Sequence, residues 1–355
     1  MDQRNDRRNG ALRPRTVLVR GAALIVPVAV VVAAVELLVP GAGHRLRSAD
    51  PIWLAAAVGL EACALVSYVA FFHAVFGRPP NRLRIRRSAE IALGELAGFA
   101  LVPTGAGGPA VRLWALRGGG MPWRTIGVRS VVYAILFNIP YVAAAVVLGL
   151  GVTAGLLPGS APTIVALAPL LLVAASVALI AVIAATARSH WMQGTARWKR
   201  NARAVLAVVP AGLRELPSFA RRPARVAGAL GFWAFDCAVL WTTLHACGGS
   251  PAVAIIVLAY MLGQLGNALP LPGGIGGVEP LMLGIFVASG VNSGLAAAAI
   301  VCYRAISLGL QSATGVVGVL SLVPALRRER EAADQKPDAR DRVEALTPFP
   351  ALRRM

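Results

Sequence analysis

Six long apolar runs, Leu24–Val39, Ile52–Phe76, Ile126–Gly151, Thr163–Ala187, Val226–Ala246 and Leu295–Val323, set the terms on which this chain can fold. A helix rising about 1.5 Å per residue needs roughly 20 apolar residues to cross a hydrocarbon core about 30 Å thick. Each run is therefore expected to be a membrane crossing, with lipid as the main solvent. Composition agrees: 57% of residues are hydrophobic and only 14% charged, too few to clothe a water-soluble globule. The first run lies far from the N-terminus and lacks a good cleavage site, so it reads as a retained helix. An all-α polytopic membrane protein follows.

The net charge of +19 would suggest nucleic acid in a soluble protein, but its distribution excludes that partner here. Arginine and lysine crowd into the tail before Gly21, Gly77–Arg87, Arg112–Arg129, the connector Arg188–Arg225 and the tail after Leu326. Basic loops stay cytoplasmic, so one threading must place all five segments on that side, with both termini inside and the plasma (inner) membrane as location. The arm Ala89–Val102 is too short to cross, yet arginines flank both it and the Gly/Pro turn that follows. A re-entrant hairpin over about 89–120 solves this. A second hairpin, over about 252–291 and entering from outside, accounts for a glycine-rich turn that carries no arginine. Within the connector 188–225, Ala202–Ala220 interleaves apolar positions with Arg203, Arg214 and Glu215; this fits a helix lying on the membrane surface, with a solvated linker as the alternative. The organisation expected is a basic tail (1–20), a transmembrane domain (21–325) and a disordered cytoplasmic tail (326–355).

At an offset of 169 residues the two hairpins align: Gly94-Glu95-Leu96 with Gly263-Gln264-Leu265, Pro103 with Pro272, Gly105 with Gly274, and Gly107-Gly108 with Gly276-Gly277. Tyr133 and Tyr303 match at nearly the same spacing. Three crossings between the copies would invert one against the other, and inverted repeats with broken helices are a transporter pattern. Non-helical backbone at membrane depth must face protein or water, and glycine lets a head group approach it closely. The half-helix N-termini after Gly107-Gly108 and Gly276-Gly277 offer free N–H groups suited to a phosphate. Glu61, Glu95, Asp236, Glu279 and Arg304 fall inside apolar segments, where a charge costs several kcal/mol unless paired or hydrated. Two readings stand: Arg304 holds an anionic head group while carboxylates carry a coupling proton, with Asp236 and Glu61 as candidates, or Arg304 pairs with Glu279 or Asp236 to fix helix register.

Cys63, Cys237, Cys247 and Cys302 lack metal-ligand spacing and read as small buried hydrophobes. His44, His73, His190 and His245 sit at run ends without partners. No metal site, cofactor or catalytic set is expected.

The hairpin segments, from Gly94-Glu95-Leu96 through Pro103, Gly105, Gly107-Gly108 and Arg112, then Asn267, Pro270, Pro272-Gly-Gly-Ile-Gly-Gly-Val-Glu279 and Tyr303-Arg304, resemble the lysylphosphatidylglycerol synthase transmembrane-region family of flippase-like membrane proteins over roughly 20–325. The resemblance implies a lipid translocase acting on aminoacylated phosphatidylglycerol or another lipid-linked species. The family's soluble aminoacyltransferase domain has no counterpart here, so no enzymatic activity is expected. The chain departs from the family pattern at Pro109 and Tyr133-Ala134, where acidic and acid-arginine residues are usual. The first half is thus expected to have lost charge, leaving an asymmetric site centred on Glu279 and Arg304. Expected substrate contacts are Gln264, Asn267, Gly273, Gly274, Gly276, Gly277, Glu279, Tyr303 and Arg304, with Glu95, Gly105, Gly107, Gly108 and Arg112 from the first half. Membrane lipids are the expected partners, with a lipid-linked envelope precursor as substrate. The other function weighed is an accessory subunit that recruits a cell-envelope glycosyltransferase through the connector.

Overall fold

The computed structural model describes residues 42–78, 83–101, 107–188, 197–221, 223–268 and 276–334. Every regular element among them is helical: α1 (Ala42–Arg47), α2 (Pro51–Phe76), α3 (Ile85–Leu101), α4 (Gly107–Gly118), α5 (Trp123–Thr153), α6 (Thr163–Arg188), α7 (Arg197–Ala220), α8 (Pro223–Ala246), α9 (Val253–Gly263), a 3₁₀ turn (Gln264–Ala268), α10 (Val278–Ala288) and α11 (Ser293–Asp334). The 1–20 tail and the expected crossing Leu24–Val39 lie outside the described residues. Four described helices are long and apolar enough to cross a membrane, over Pro51–Phe76, Trp123–Thr153, Arg225–Ala246 and Ser293–Arg328. In α6 the described apolar stretch is Thr163–Ala175.

Local chemistry sets several boundaries. Asp50 caps α2 by accepting the Ile52 N–H at 2.8 Å, and Pro51 occupies the first turn, where a missing N–H costs nothing. The α3 helix starts four residues before the expected Ala89, because Ile85-Arg-Arg-Ser joins the turn. The C-terminal helix runs past the expected boundary at 326 to Asp334, since Arg327-Arg-Glu-Arg-Glu-Ala-Ala consists of good helix formers; residues 335–355 lie outside the described ones.

The antiparallel pair α2 and α8 forms the centre of the bundle. At one end of it the Asp50 N–H donates to the Ala246 carbonyl at 2.9 Å, and Arg45 donates to the Cys247 carbonyl at 3.2 Å. Gly249 meets Leu295 and Gly159 meets Ile255 at this same end. At the other end Arg129 donates to the carbonyls of Phe76 (3.0 Å) and Arg78 (3.2 Å), and His73 Nδ1 lies 2.8 Å from Ser88 Oγ. Arg225 donates there to the Ser218 carbonyl at 3.1 Å, and Leu322 and Leu326 pack with Phe76 and Phe219. The arginine-bearing segments around 78, 124–129 and 221–225 therefore share one end of the molecule.

Two helical hairpins are rooted at opposite ends of this bundle. The first, α3 and α4, starts and finishes at the arginine-rich end and lies along α11, where Gly94 meets Val319 and Gly318 meets the Glu90 carbonyl. The second, α9 and α10, starts and finishes at the other end, beside α5 and the start of α11; the Tyr141 hydroxyl donates to the Met261 carbonyl. The helices α4, α9 and α10 have 12, 11 and 11 residues. At about 16–18 Å each, none spans a 30 Å core. The arms touch through paired glycines. A Cβ on Gly98 would lie 2.6 Å from the Gly107 carbonyl oxygen, and one on Gly266 would lie 2.3 Å from the Val278 nitrogen. Only glycine permits either approach.

Within the connector, Arg197–Ala220 forms a helix. This α7 rests its described half on α5, with Val208 against Gly127 and Val131 against Gly212. Cys237, Cys247 and Cys302 are buried as expected, but Cys63 is exposed on α2.

Candidate functional site

Both hairpins close a buried ion pair. In the second, α10 begins at the Gly276-Gly277 turn and carries Glu279 in its first turn, while Arg304 projects from α11. Arg304 Nε donates to Glu279 Oε1 at 2.7 Å. The other carboxylate oxygen, Oε2, accepts the Gly276 N–H at 2.7 Å. Gly276 takes a φ of +84°, which turns its N–H toward the carboxylate at little cost only because the residue has no side chain. Both side chains are buried, at 9% and 6% exposure for Glu279 and Arg304. The Arg304–Glu279 contact is formed.

A polar chain leads away from this pair. Tyr303, adjacent to Arg304, donates to Asp236 Oδ2 at 3.1 Å and receives the Gln264 amide at 3.2 Å; Gln264 in turn accepts from Asn267 at 2.6 Å. Tyr260 also donates to Asp236 Oδ2, and Ser307 approaches Oδ1 at 3.4 Å. Gln311 donates to both Ser307 Oγ (2.8 Å) and Glu61 Oε1 (3.0 Å). Glu61, wholly buried on α2, leaves Oε2 without a hydrogen-bond partner among the described residues and lies beside Asp236.

In the first half Arg112 of α4 donates to Glu95 Oε1 of α3 at 2.6 Å, with Glu95 1% exposed. Glu95 and Arg112, both expected contacts from the first half, pair with each other. The Arg112 guanidinium sits 4.8 Å from the Tyr133 ring centroid, in a box with Tyr68, Phe71, Phe72 and Phe76. Three buried polar atoms, Glu95 Oε2, Arg112 Nε and the Tyr133 hydroxyl, lack hydrogen-bond partners among the described residues.

The described site residues fall into two groups, one at each hairpin. Gly107 and Gly108 are buried at the start of α4, Gly276 and Gly277 precede α10, and Asn267 is exposed at the second centre's edge. Gly105, Gly273 and Gly274 lie outside the described residues, as does His190. Tyr68, Tyr260, Ser307 and Gln311 were not anticipated. A signal for one existed: near the repeat offset Tyr68 corresponds to Asp236, as Glu95 does to Gln264 and Tyr133 to Tyr303, so polar residues recur at similar sequence positions in the two halves.

Long apolar helices packed around two short-armed, glycine-hinged hairpins define a multi-pass integral membrane protein. The chain belongs to the family of the lysylphosphatidylglycerol synthase transmembrane region, which matches residues 18–315. It is also similar to a UPF0104 membrane protein from Methanothermobacter thermautotrophicus, 32% identical over 92 residues, which is 26% of each chain. That similarity covers about a quarter of the relative's length.

Proposed function

We propose that the protein is a flippase-like transporter that moves an anionic phospholipid or lipid-linked envelope precursor between the leaflets of the plasma membrane, without enzymatic activity and with both termini cytoplasmic. The observation that carries this reading is the double engagement of Glu279. Its carboxylate holds the Arg304 guanidinium with one oxygen and a backbone N–H at a half-helix start with the other. A guanidinium and an N–H at a helix N-terminus are the donors a phosphate ester would use. Glu279 stands where a substrate anion would stand.

Exchange follows from that arrangement. Protonation of Glu279 releases Arg304 and the Gly276 N–H to a head-group phosphate; departure of the phosphate lets the carboxylate ionise and return. The proton reservoir in this reading is the Asp236–Glu61 pair; Tyr303, which donates to Asp236, precedes Arg304 in sequence.

The two hairpins act as an inverted repeat in this reading, each re-entering from its own face. Support comes from the reciprocal packing: α3 lies on α11 while α9 lies on α5, and α2 and α8 pair with each other. Alternating exposure of a centre near each face then needs small hairpin movements about the glycine contacts rather than unfolding of a span.

Reconstitution in vesicles with a fluorescent anionic phospholipid tests the proposal. Wild-type protein should move the probe between leaflets; Glu279→Gln and Arg304→Ala, checked for folding by thermal denaturation in detergent, should not. Transfer at the wild-type rate by both folded variants would remove the second centre from the mechanism.

A further inference from the structure

At the arginine-rich end, away from both ion pairs, lies a cavity of about 470 Å³ lined by Arg78, Arg124, Thr125, Arg129, Glu215 and Phe219, among others. Three structural elements build it: the chain just after α2, the first turn of α5 and the end of α7. Three arginines face one glutamate, an excess of positive charge in a concave site. Its parts are held in place before any ligand arrives. Arg129, 5% exposed, is fixed by the Phe76 and Arg78 carbonyls. The Phe219 ring lies near two guanidiniums, Arg78 at 4.5 Å and Arg225 at 4.8 Å from its centroid.

A separate feature points to an anion. The α5 helix starts after Pro122, whose side chain makes no capping bond, so the N–H groups of Trp123, Arg124 and Thr125 have no acceptor within the helix. Arg124 and Thr125 both line the cavity, which therefore combines the positive end of a 31-residue helix with the arginine cluster. Trp123, exposed beside it, suits the membrane–water boundary.

We infer that this cavity binds a phosphate ester, bridging the end of α2, the start of α5 and the end of α7 and so holding the amphipathic helix α7 against the bundle. The phosphate belongs to an anionic lipid head group or to a free phosphate, and the chemistry of the site is the same for either. Basic pockets between membrane helices bind anionic head groups by this logic. The site does not depend on lipid transport: Glu279→Gln should leave it intact.

Calorimetric titration of the full chain in a non-ionic detergent distinguishes the sources. The probes are dihexanoyl-phosphatidylglycerol and inorganic phosphate, at fixed ionic strength. Saturable binding is expected, at least tenfold weaker in the double variant Arg78→Gln/Arg124→Gln and severalfold tighter in Glu215→Gln, which removes the opposing charge. Uptake of the short-chain lipid alone identifies a head-group site; uptake of both probes identifies a phosphate site open to soluble ligands. Absence of binding to either probe overturns the inference, as does affinity within twofold of wild type in the double variant. If the double variant does not fold, Glu215→Gln decides the matter: tighter binding upholds the site, and unchanged or weaker binding overturns it.

Discussion

The two hairpins share a glycine framework yet wire their charges differently. In the first, acid and base sit on the two arms of one hairpin, so Glu95 and Arg112 clamp α3 to α4. In the second, the acid sits on the returning arm and the base on the long helix that follows, so Glu279 and Arg304 tie the hairpin to α11. Among the described residues, the first pair leaves Glu95 Oε2 and Arg112 Nε without a hydrogen-bond partner, whereas the second uses both carboxylate oxygens. An internal clamp resists opening of its own hairpin. A tie between hairpin and scaffold can be exchanged for a ligand, with the hairpin itself left whole. In the proposed mechanism the second centre therefore binds the substrate anion and the first holds the hairpin's shape.

The largest expected effects separate these roles. Arg304→Ala should bring leaflet transfer to background, and Arg304→Lys should restore little, because a compact ammonium cannot copy the guanidinium's directed donor. The corresponding change at the first centre, Arg112→Ala, strands a buried carboxylate and should lower stability by about 3–5 kcal/mol. Pairing it with Glu95→Gln should recover a large part of that loss, read as the midpoint of thermal denaturation in detergent. Recovery of transfer in Arg304→Ala by a matching Glu279→Gln change would show that the second pair is also only a clamp and would erase the contrast.

Asp236 offers an intermediate effect. It accepts from Tyr260, Tyr303 and Ser307, so Asp236→Asn keeps the shape and several contacts while fixing the proton count. If Asp236 and Glu61 supply the proton that frees Glu279, transfer by the variant should become insensitive to an imposed pH gradient while phospholipid still binds. A gradient response equal to wild type would disconnect this network from the site.

The parts of this arrangement differed in how far they could be read from sequence. The hairpins were legible because Gly107-Gly108 and Gly276-Gly277 recur at one spacing between apolar arms too short to cross. The pairing of Glu95 with Arg112 was not, although both residues stood out. Their contact crosses the turn, and the helical phase on its far side cannot be counted through irregular backbone. Tyr260, Ser307 and Gln311 escaped for another reason: a lone polar residue on an apolar helix shows no periodicity, and its partner is set by three-dimensional packing.

The smallest effects probe the glycines that both hairpins use. Gly98→Ala and Gly266→Ala each drive a methyl into the opposite arm's backbone, which has no rotamer to yield, so a loss of about 1–3 kcal/mol is expected. Gly266 should suffer more, since its clash distance is 2.3 Å against 2.6 Å. Gly284 provides the counter-case. It lies inside α10 with nothing within 4 Å of an added Cβ, so Gly284→Ala should meet no clash and should stiffen the arm, adding about 0.5–1 kcal/mol. Measured together by thermal denaturation, the three substitutions separate hinge from arm. Transfer that survives Gly284→Ala but not Gly266→Ala would place the motion at the arm contact, whereas equal loss in both would mean that α10 itself must bend.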